Sequence, residues 1–100
     1  MEQLCFEWDD DKDAANQRKH DVSFAEARTV FSDEFARLIA DPDHSEDEDR
    51  FVLLGMSGRA RLLVVCHCVR DEDSIRIISA RQANRPERDA YEGYYNARKL

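Results

Sequence analysis

The chain has 100 residues, 42% of them hydrophobic, which is enough for one domain with a single core and excludes two. No apolar run reaches 18 residues and the first residues do not resemble a signal peptide, so we expect a cytoplasmic protein that does not cross a membrane. The odd count of three cysteines lacks the spacing of a disulfide framework and favours reduced thiols, packed as small buried hydrophobic groups.

The formal charge of −7 is distributed unevenly along the chain. Residues 1–49 hold 16 acidic and 5 basic residues, a net charge of −11, whereas residues 50–100 hold 6 acidic and 10 basic residues, a net charge of +4. Phosphate binding depends on the local field at a groove and not on the total charge. Because the second half of the chain is basic, the protein can still bind nucleic acid although its total charge is negative.

The first half of the sequence predicts one strand and two helices. The apolar run at 4–8 is typical of a short strand, and the aspartates after it can cap a helix that runs from about residue 10 to His20. Ser23 and Glu26 have the spacing of a capping box and open the second helix. The apolar residues of this helix recur at core spacing, which indicates a structural role: Phe24, Ala27, Val30 and Phe31.

The second half predicts four strands and a last helix. The strands fall at 35–40, 50–56, 62–69 and 74–80, and the turns between them at 41–43, 57–59 and 70–73. Asn84 and Glu87 have the spacing of an N-cap pair, which predicts a helix from there to about Arg98. We therefore expect one α+β domain over residues 1–100, with the order β-α-α-β-β-β-β-α, an antiparallel sheet and helices packed on it.

Residues 61–81 are the most apolar part of the chain and yet carry basic side chains, which must find a counter-charge or an open surface. His67 lies at the centre of this segment, and its neighbours depend on the strand register. One register places His67 on the same face as Arg81, and a slip of one residue places it beside Arg76 instead. The competing interpretation is a buried or half-exposed histidine next to a structural salt bridge.

Two segments superficially resemble metal sites. In an extended strand, Cys66 and Cys68 point away from His67, so this tripeptide cannot form a tetrahedral zinc site. Residues 41–47 imitate a calcium loop but have Glu46 where that loop requires glycine, and a solvated acidic turn is the better interpretation. We expect no metal and no cofactor.

Cations and aromatic rings are mixed in the last strand and the last helix. Guanidinium groups bind phosphates through two hydrogen bonds and tyrosine rings stack on unpaired bases, a mixture that suits single-stranded RNA. The residues concerned are Arg76, Arg81, Arg85, Arg88, Tyr91, Tyr94 and Tyr95. A second polar face lies on the first helix and contains Lys12, Asn16, Lys19 and His20. Each group also has a purely structural interpretation, in which the tyrosines pack on the sheet and the charged residues form surface ion pairs.

Together, these residues resemble the BrnT toxins of bacterial type II toxin-antitoxin systems. The resemblance spans nearly the whole chain and rests on 6–9 (FEWD), Lys12, Asn16, 19–20 (KH), 22–24 (VSF), 76–81 (RIISAR), Ala83, 87–88 (ER) and 91–92 (YE). It implies an endoribonuclease of RelE-like fold that needs no metal and inhibits growth by cleaving RNA. It also implies neutralisation by a BrnA-like antitoxin, whose ribbon-helix-helix domain binds operator DNA, so that the toxin reaches DNA only through that partner.

Metal-free RNA cleavage uses the 2′-hydroxyl of the substrate as the nucleophile, so the protein has to move protons and stabilise charge on the phosphate. From these requirements and the resemblance, we expect catalytic roles for Lys19, His20, His67, Arg76, Arg81 and Tyr91. We expect RNA contacts from Lys12, Asn16, Arg61, Arg85 and Arg88.

The alternative function is an interaction module that docks an acidic partner chain through the same basic groove. A nuclease needs a proton-transfer group beside its phosphate-binding arginines, and a module does not. The positions of Lys19, His20 and His67 relative to Arg76 and Arg81 therefore separate the two functions. Direct DNA binding is disfavoured because no predicted helix has a dense basic face.

Overall fold

The computed structural model describes residues 4–40 and 50–98. The acidic turn that we predict within 41–49 lies outside these described residues. Within them, the order of elements is the predicted β-α-α-β-β-β-β-α. The strands are β1 (Cys5–Glu7), β2 (Arg37–Ile39), β3 (Phe51–Met56), β4 (Leu62–Val69) and β5 (Ser74–Gln82). The helices are α1 (Asp10–His20), α2 (Phe24–Thr29), which continues as a 3₁₀ turn (Val30–Ser32), and α3 (Arg85–Arg98).

Side-chain caps define where the first two helices begin. The carboxylate of Asp9 accepts a hydrogen bond of 3.0 Å from the Lys12 amide and starts α1. This helix ends at Asp21, whose φ of 58° lies in the left-handed region. The hydroxyl of Ser23 accepts a hydrogen bond of 3.0 Å from the Glu26 amide, as a capping box predicts. The Glu26 carboxylate, however, contacts the turn between β3 and β4 instead of returning to Ser23.

The described strands form a five-stranded sheet in the order β1-β5-β4-β3-β2. The strands from β2 to β5 are antiparallel neighbours, as predicted, whereas β1 lies parallel to β5. The antiparallel sheet that we expect from the sequence therefore has one parallel pair at its edge. The difference arises because an alternating apolar pattern predicts a strand but carries no information about its direction.

Helices pack on both faces of the sheet. On the face that we call the α2 face, the main core consists of Val22, Phe24, Ala27, Val30, Leu63, Val65, Ile77 and Ala80. A smaller core on the opposite face contains Val52, Leu54, Leu62, Val64 and Tyr91, the last of which belongs to α3. We call this opposite face the arginine face, because Arg81 pairs with Val64 on it. None of the described helices has the length and apolar character that crossing a membrane requires.

Candidate nucleic-acid interface

A β-bulge decides which way the arginines of β5 point. The register between β4 and β5 shifts at Cys66 and His67, where β5 contains one extra residue, Ile78. Arg76 and Arg81 are five positions apart, and regular alternation would place them on opposite faces of the sheet. The extra residue brings both side chains onto the arginine face.

His67 lies on the α2 face, so the expectation that it shares a face with one of the two arginines is wrong in either register. Its side chain is buried, with 5% of the residue exposed. The ring packs edge-on against Phe31, with centroids 4.9 Å apart, and Nδ1 lies 3.3 Å from the Val65 carbonyl oxygen. Burial lowers the pKa of His67, and the contact with the carbonyl partly offsets this effect. His67 is part of the core, and its position does not support the proton-transfer role that the sequence suggests.

Arg81 is held by the first turn of α3. Its two terminal nitrogens each donate a hydrogen bond of 2.8 Å to a different carboxylate oxygen of Glu87. Glu87 and Asn84 also form a reciprocal capping box, in which each side chain accepts a hydrogen bond from the backbone amide of the other, at 2.9 and 3.0 Å. The hydrogen bonds from Arg81 are the main reason why the pKa of Glu87 is lowered. The ion pair fixes the direction of the guanidinium, while 38% of the Arg81 side chain stays exposed.

Arg76 lies near the start of β5 and donates a hydrogen bond of 2.8 Å to Glu7 of β1. A third of its side chain (33%) is exposed. The residues of β4 that pair with Arg76 and Arg81, Cys68 and Val64, are four positions apart, which corresponds to about 13 Å between the two arginine backbones at ~3.3 Å per residue. At this spacing the two arginines can bind different phosphates of one nucleic acid strand.

His20, Lys19 and Arg81 form a cluster where α1 lies beside β5. His20 is half-buried at the end of α1. Its pKa is lowered, first by burial and then by the positive charges of Lys19 and Arg81. Asn16, one turn earlier on α1, is hydrogen-bonded to Ala80, the neighbour of Arg81, so the end of α1 lies at this part of β5. A titratable imidazole beside two cations is a combination that can move a proton next to a bound phosphate.

Asn16 attaches α1 to the edge of β5. Its Nδ2 donates hydrogen bonds of 2.8 Å to the carbonyl oxygens of Ala80 and Val22, and its Oδ1 accepts one of 3.1 Å from the Ala80 amide. Because β1 pairs with residues 74–76, the Asn16 amide takes the place of a neighbouring strand at Ala80. The side chain is buried. The structure gives Asn16 a role in folding instead of the RNA contact that the sequence suggests.

Tyr91 anchors α3 to the rest of the chain. The residue is 4% exposed, and its hydroxyl donates a hydrogen bond of 2.7 Å to Asp33. The same carboxylate accepts hydrogen bonds from the backbone amides of Phe35 and Met56. Burial raises the pKa of the Tyr91 hydroxyl, and the hydrogen bond to Asp33 raises it further. This position supports neither stacking on a base nor proton donation by Tyr91.

The guanidinium of Arg61 is already bound to the carboxylate of Glu26. Its Nε donates a hydrogen bond of 2.9 Å to Glu26, its Nη2 contacts the other oxygen of the same carboxylate, and Nη2 also donates to the Asp21 carbonyl at 2.8 Å. Glu26 is buried and accepts a further hydrogen bond of 2.7 Å from Ser57. The hydrogen bond from Arg61 is the main reason why the pKa of Glu26 is lowered. This cluster ties the β3–β4 turn to α2, so the expected RNA contact of Arg61 has no support.

Three of the basic residues expected to contact RNA, Lys12, Arg85 and Arg88, have exposed side chains, as such a contact requires. Sequence reasoning missed a fourth surface cation, Arg37, which pairs with a residue of the arginine face. Its guanidinium lies 4.5 Å from the ring centre of Tyr94 on α3. No sequence signal could reveal this contact, because it joins β2 to a helix almost 60 positions away.

The three thiols differ in burial. Cys66 is buried, Cys68 is half-buried and Cys5 is exposed, so the prediction of buried cysteines is correct for Cys66 and not for Cys5. Cys66 and Cys68 lie on the arginine face, opposite His67, as the strand alternation predicts. Within residues 4–40 and 50–98, no group of three or more His, Cys, Asp or Glu side chains is placed to hold a metal ion.

The chain is similar to one family of known proteins. A family model described as "Ribonuclease toxin, BrnT, of type II toxin-antitoxin system" matches residues 8–87. Among solved structures, the chain is similar to the Brucella abortus ribonuclease toxin BrnT, with a TM-score of 0.64 and 21% sequence identity over 83% of this chain and 100% of that chain. The structural likeness confirms the α+β fold, and the wider RelE-like classification stays a prediction. No curated protein matches the sequence significantly.

Proposed function

The chain belongs to the BrnT family of ribonuclease toxins of type II toxin-antitoxin systems, and we propose that it is an endoribonuclease that cleaves RNA without a metal ion, by attack of a 2′-hydroxyl on the adjacent phosphate. The observation that carries this proposal is the cluster of His20, Lys19 and Arg81. In it, a histidine with a lowered pKa lies near a guanidinium that can bind a phosphate. A docking surface needs no proton-transfer group at this point, so the cluster favours a nuclease over an interaction module.

His20 is the general base in this scheme. Burial and two nearby cations disfavour its charged form, so at neutral pH the imidazole can accept the proton of the 2′-hydroxyl. The 2′-oxygen then bonds to phosphorus, and the bond between phosphorus and the 5′-oxygen breaks. Lys19 donates the proton that the departing 5′-oxygen requires. The products are one RNA that ends in a 2′,3′-cyclic phosphate and one that begins with a 5′-hydroxyl.

Arginine side chains bind the RNA backbone in this scheme. Arg81 stabilises the negative charge that develops on the reacting phosphate, and its ion pair with Glu87 orients the guanidinium in advance. Arg76 binds another phosphate of the same strand, since its backbone lies about 13 Å from that of Arg81 at ~3.3 Å per residue of β4. Arg85 and Arg88 extend the positive surface from Arg81 along the first turns of α3.

Incubation of the purified protein with single-stranded RNA in excess EDTA tests the scheme. We expect cleavage that leaves 2′,3′-cyclic phosphate and 5′-hydroxyl ends. A general acid or base contributes about 10²- to 10⁴-fold to a rate, so His20→Ala and Lys19→Ala should each be slower by a factor in that range. A strict requirement for magnesium, or no cleavage at high protein concentration, contradicts the proposal and leaves the interaction module.

Two other surface arginines provide matched controls. Arg18 is exposed and precedes Lys19 on α1, and Arg59 lies in the β3–β4 turn with 74% of its side chain exposed. Arg18→Ala and Arg59→Ala should cleave RNA at close to the wild-type rate, whereas Arg81→Ala should lose most of the activity. Equal losses of cleavage activity in all three variants would indicate that the reaction depends only on overall positive charge. Arg81 would then have no specific role in the site.

The family implies a protein antitoxin, and we infer that it is a BrnA-like protein that covers the arginine face and reaches operator DNA through its own ribbon-helix-helix domain. Arg76 and Arg81 are partly exposed there, and an acidic segment of the antitoxin can pair with them in place of RNA phosphates. The affinity of the antitoxin for an Arg76→Glu, Arg81→Glu double variant tests this inference. We expect much weaker binding, and wild-type affinity places the antitoxin on another surface.

A further inference from the structure

A cavity of about 410 Å³ lies between α3 and the end of the β3–β4 hairpin. Its walls are largely apolar and aromatic and include Phe35, Met56, Leu62, Tyr91 and Tyr95. The rings of Phe35 and Tyr95 contact each other, with centroids 4.7 Å apart and planes inclined by 58°, and so form a corner of the cavity. The size and lining suit a planar, mostly apolar group that carries a few polar atoms.

Some polar side chains of the cavity already have hydrogen-bond partners within the chain, and others do not. Asp33 accepts hydrogen bonds from the Tyr91 hydroxyl and from two backbone amides. Arg88 and Glu92 are exposed at the cavity, and neither side chain forms a hydrogen bond or an ion pair with another of the described residues. The cavity therefore offers an available carboxylate and an available guanidinium beside aromatic rings.

We propose that this cavity binds a guanine base of the RNA substrate, an inference that rests on the proposed ribonuclease function. The Watson–Crick edge of guanine presents two adjacent donors, N1–H and the N2 amino group, which match the two oxygens of the Glu92 carboxylate. The other three bases place an acceptor beside their donor, and a carboxylate repels that acceptor. The plane of the base stacks on the ring of Tyr95, and the inclined ring of Phe35 contacts the edge of the base.

The charges that lead to the cavity favour RNA over a protein side chain as its occupant. Arg81, Arg85 and Arg88 follow one another from the end of β5 along the first turns of α3, where they can bind successive phosphates. An apolar anchor from a protein partner would form no hydrogen bond with the Glu92 carboxylate, whereas the donor edge of a base forms two. The cavity is thus a base site near the proposed cleavage site, and it fixes the cut at a set distance from a guanine.

Binding of the four 5′-mononucleotides, followed by calorimetry and by the NMR signals of Tyr95, tests the base site without any cleavage. We expect GMP to bind at least about fivefold more tightly than AMP, CMP or UMP, as a good two-point contact to a base discriminates by this much or more. Inosine monophosphate lacks the N2 amino group and should bind more weakly than GMP. Glu92→Gln should abolish the preference. Asp89→Asn removes the same charge from an exposed position on the same helix and should retain it.

RNA cleavage separates a failure of this inference from a failure of the proposed function. Cleavage in EDTA, together with equal binding of the four nucleotides, overturns the base site and leaves the nuclease intact. Selective binding of GMP without any cleavage supports the base site and overturns the nuclease. If Glu92→Gln weakens antitoxin binding while nucleotide binding stays the same, the cavity belongs to the protein partner and the inference is wrong.

Discussion

Arg81 and Glu87 are joined by two hydrogen bonds of 2.8 Å that connect the last strand to the last helix. The same carboxylate accepts a hydrogen bond from the Asn84 amide, so one side chain both begins α3 and holds the guanidinium of Arg81. A rigid helix start thus determines where a proposed phosphate-binding group points. Such pre-orientation favours a reaction that depends on exact placement of charge.

Replacement of Glu87 should slow cleavage more than it weakens substrate binding. In Glu87→Gln the charged partner of Arg81 is lost, so the guanidinium becomes mobile while the surface becomes more positive. We expect kcat to fall by about tenfold, which corresponds to ~1.4 kcal/mol of lost transition-state stabilisation, with KM unchanged or lower. Steady-state cleavage of a defined RNA gives both values.

Asn84→Ala is the control for the helix cap in that experiment. It removes the side chain that caps the Glu87 amide but leaves the carboxylate of Glu87 available to Arg81. We expect a loss of about 1 kcal/mol in the free energy of unfolding and a nearly unchanged kcat. If Asn84→Ala lowers kcat as much as Glu87→Gln does, the ion pair acts only through the stability of the helix.

The titration of His20 can be predicted in sign. Its pKa is lowered by burial and by the positive charges of Lys19 and Arg81, so the neutral base persists to lower pH than in an ordinary histidine. The rate of cleavage should therefore fall on the acid side with a midpoint below about pH 6.5, the ordinary pKa of histidine. NMR titration of the imidazole should give the same midpoint, and Lys19→Gln should raise it. A midpoint at or above 6.5 contradicts the cluster.

The sequence predicts the strands of the sheet, but it does not predict on which face of the sheet each side chain of β5 lies. Alternation in β5 is a local rule, and five positions between Arg76 and Arg81 imply opposite faces. The bulge at Ile78 breaks this rule and leaves His67 on the other side of the sheet from both arginines. Nothing in the sequence of β5 marks the bulge, since isoleucine also fits a regular strand.

The sequence predicts the ends of helices more reliably than it predicts contacts between residues that are far apart in the chain. The pattern of Asn84 and Glu87 predicts a cap, and the structure confirms it, because the hydrogen bonds join residues three positions apart. The second role of Glu87, as the partner of Arg81, depends on how β5 leads into α3. Asp33 had no signal at all, because its donors come from β3 and α3 as well as from its own loop.

The burial of His67 should make stability depend on pH in the range where few other groups titrate. Its folded-state pKa is lowered, so between the ordinary value near 6.5 and the lower folded value the unfolded chain binds more protons. The free energy of unfolding should therefore decrease as the pH falls below about 6.5, by at most ~1.4 kcal/mol per pH unit from this residue. Urea unfolding between pH 8 and pH 5.5 measures it.

His67→Phe provides the comparison for that measurement. The new ring can pack against Phe31 and has no proton to gain, so the pH dependence between 8 and 5.5 should become shallower than in the wild type. Cleavage at pH 7.5, corrected for the folded fraction, should stay within about threefold of the wild type. If the cleavage rate of this variant falls by about 10²-fold or more, His67 does take part in catalysis.

Asn16 should be one of the most sensitive positions for folding. Alanine at this position leaves the amide and carbonyl of Ala80 and the carbonyl of Val22 without their partner in a buried region. An unsatisfied buried polar group costs about 1–3 kcal/mol, so we expect Asn16→Ala to lose at least ~2 kcal/mol in the free energy of unfolding. Asn16→Asp should lose more, because a carboxylate cannot donate to two carbonyl oxygens.

The control for this measurement is Asn96→Ala, at an exposed position of α3, which should stay within about 0.5 kcal/mol of the wild type in urea unfolding. If Asn16→Ala lowers the affinity for RNA by more than it lowers the folded fraction, Asn16 does contact RNA, as the sequence suggests.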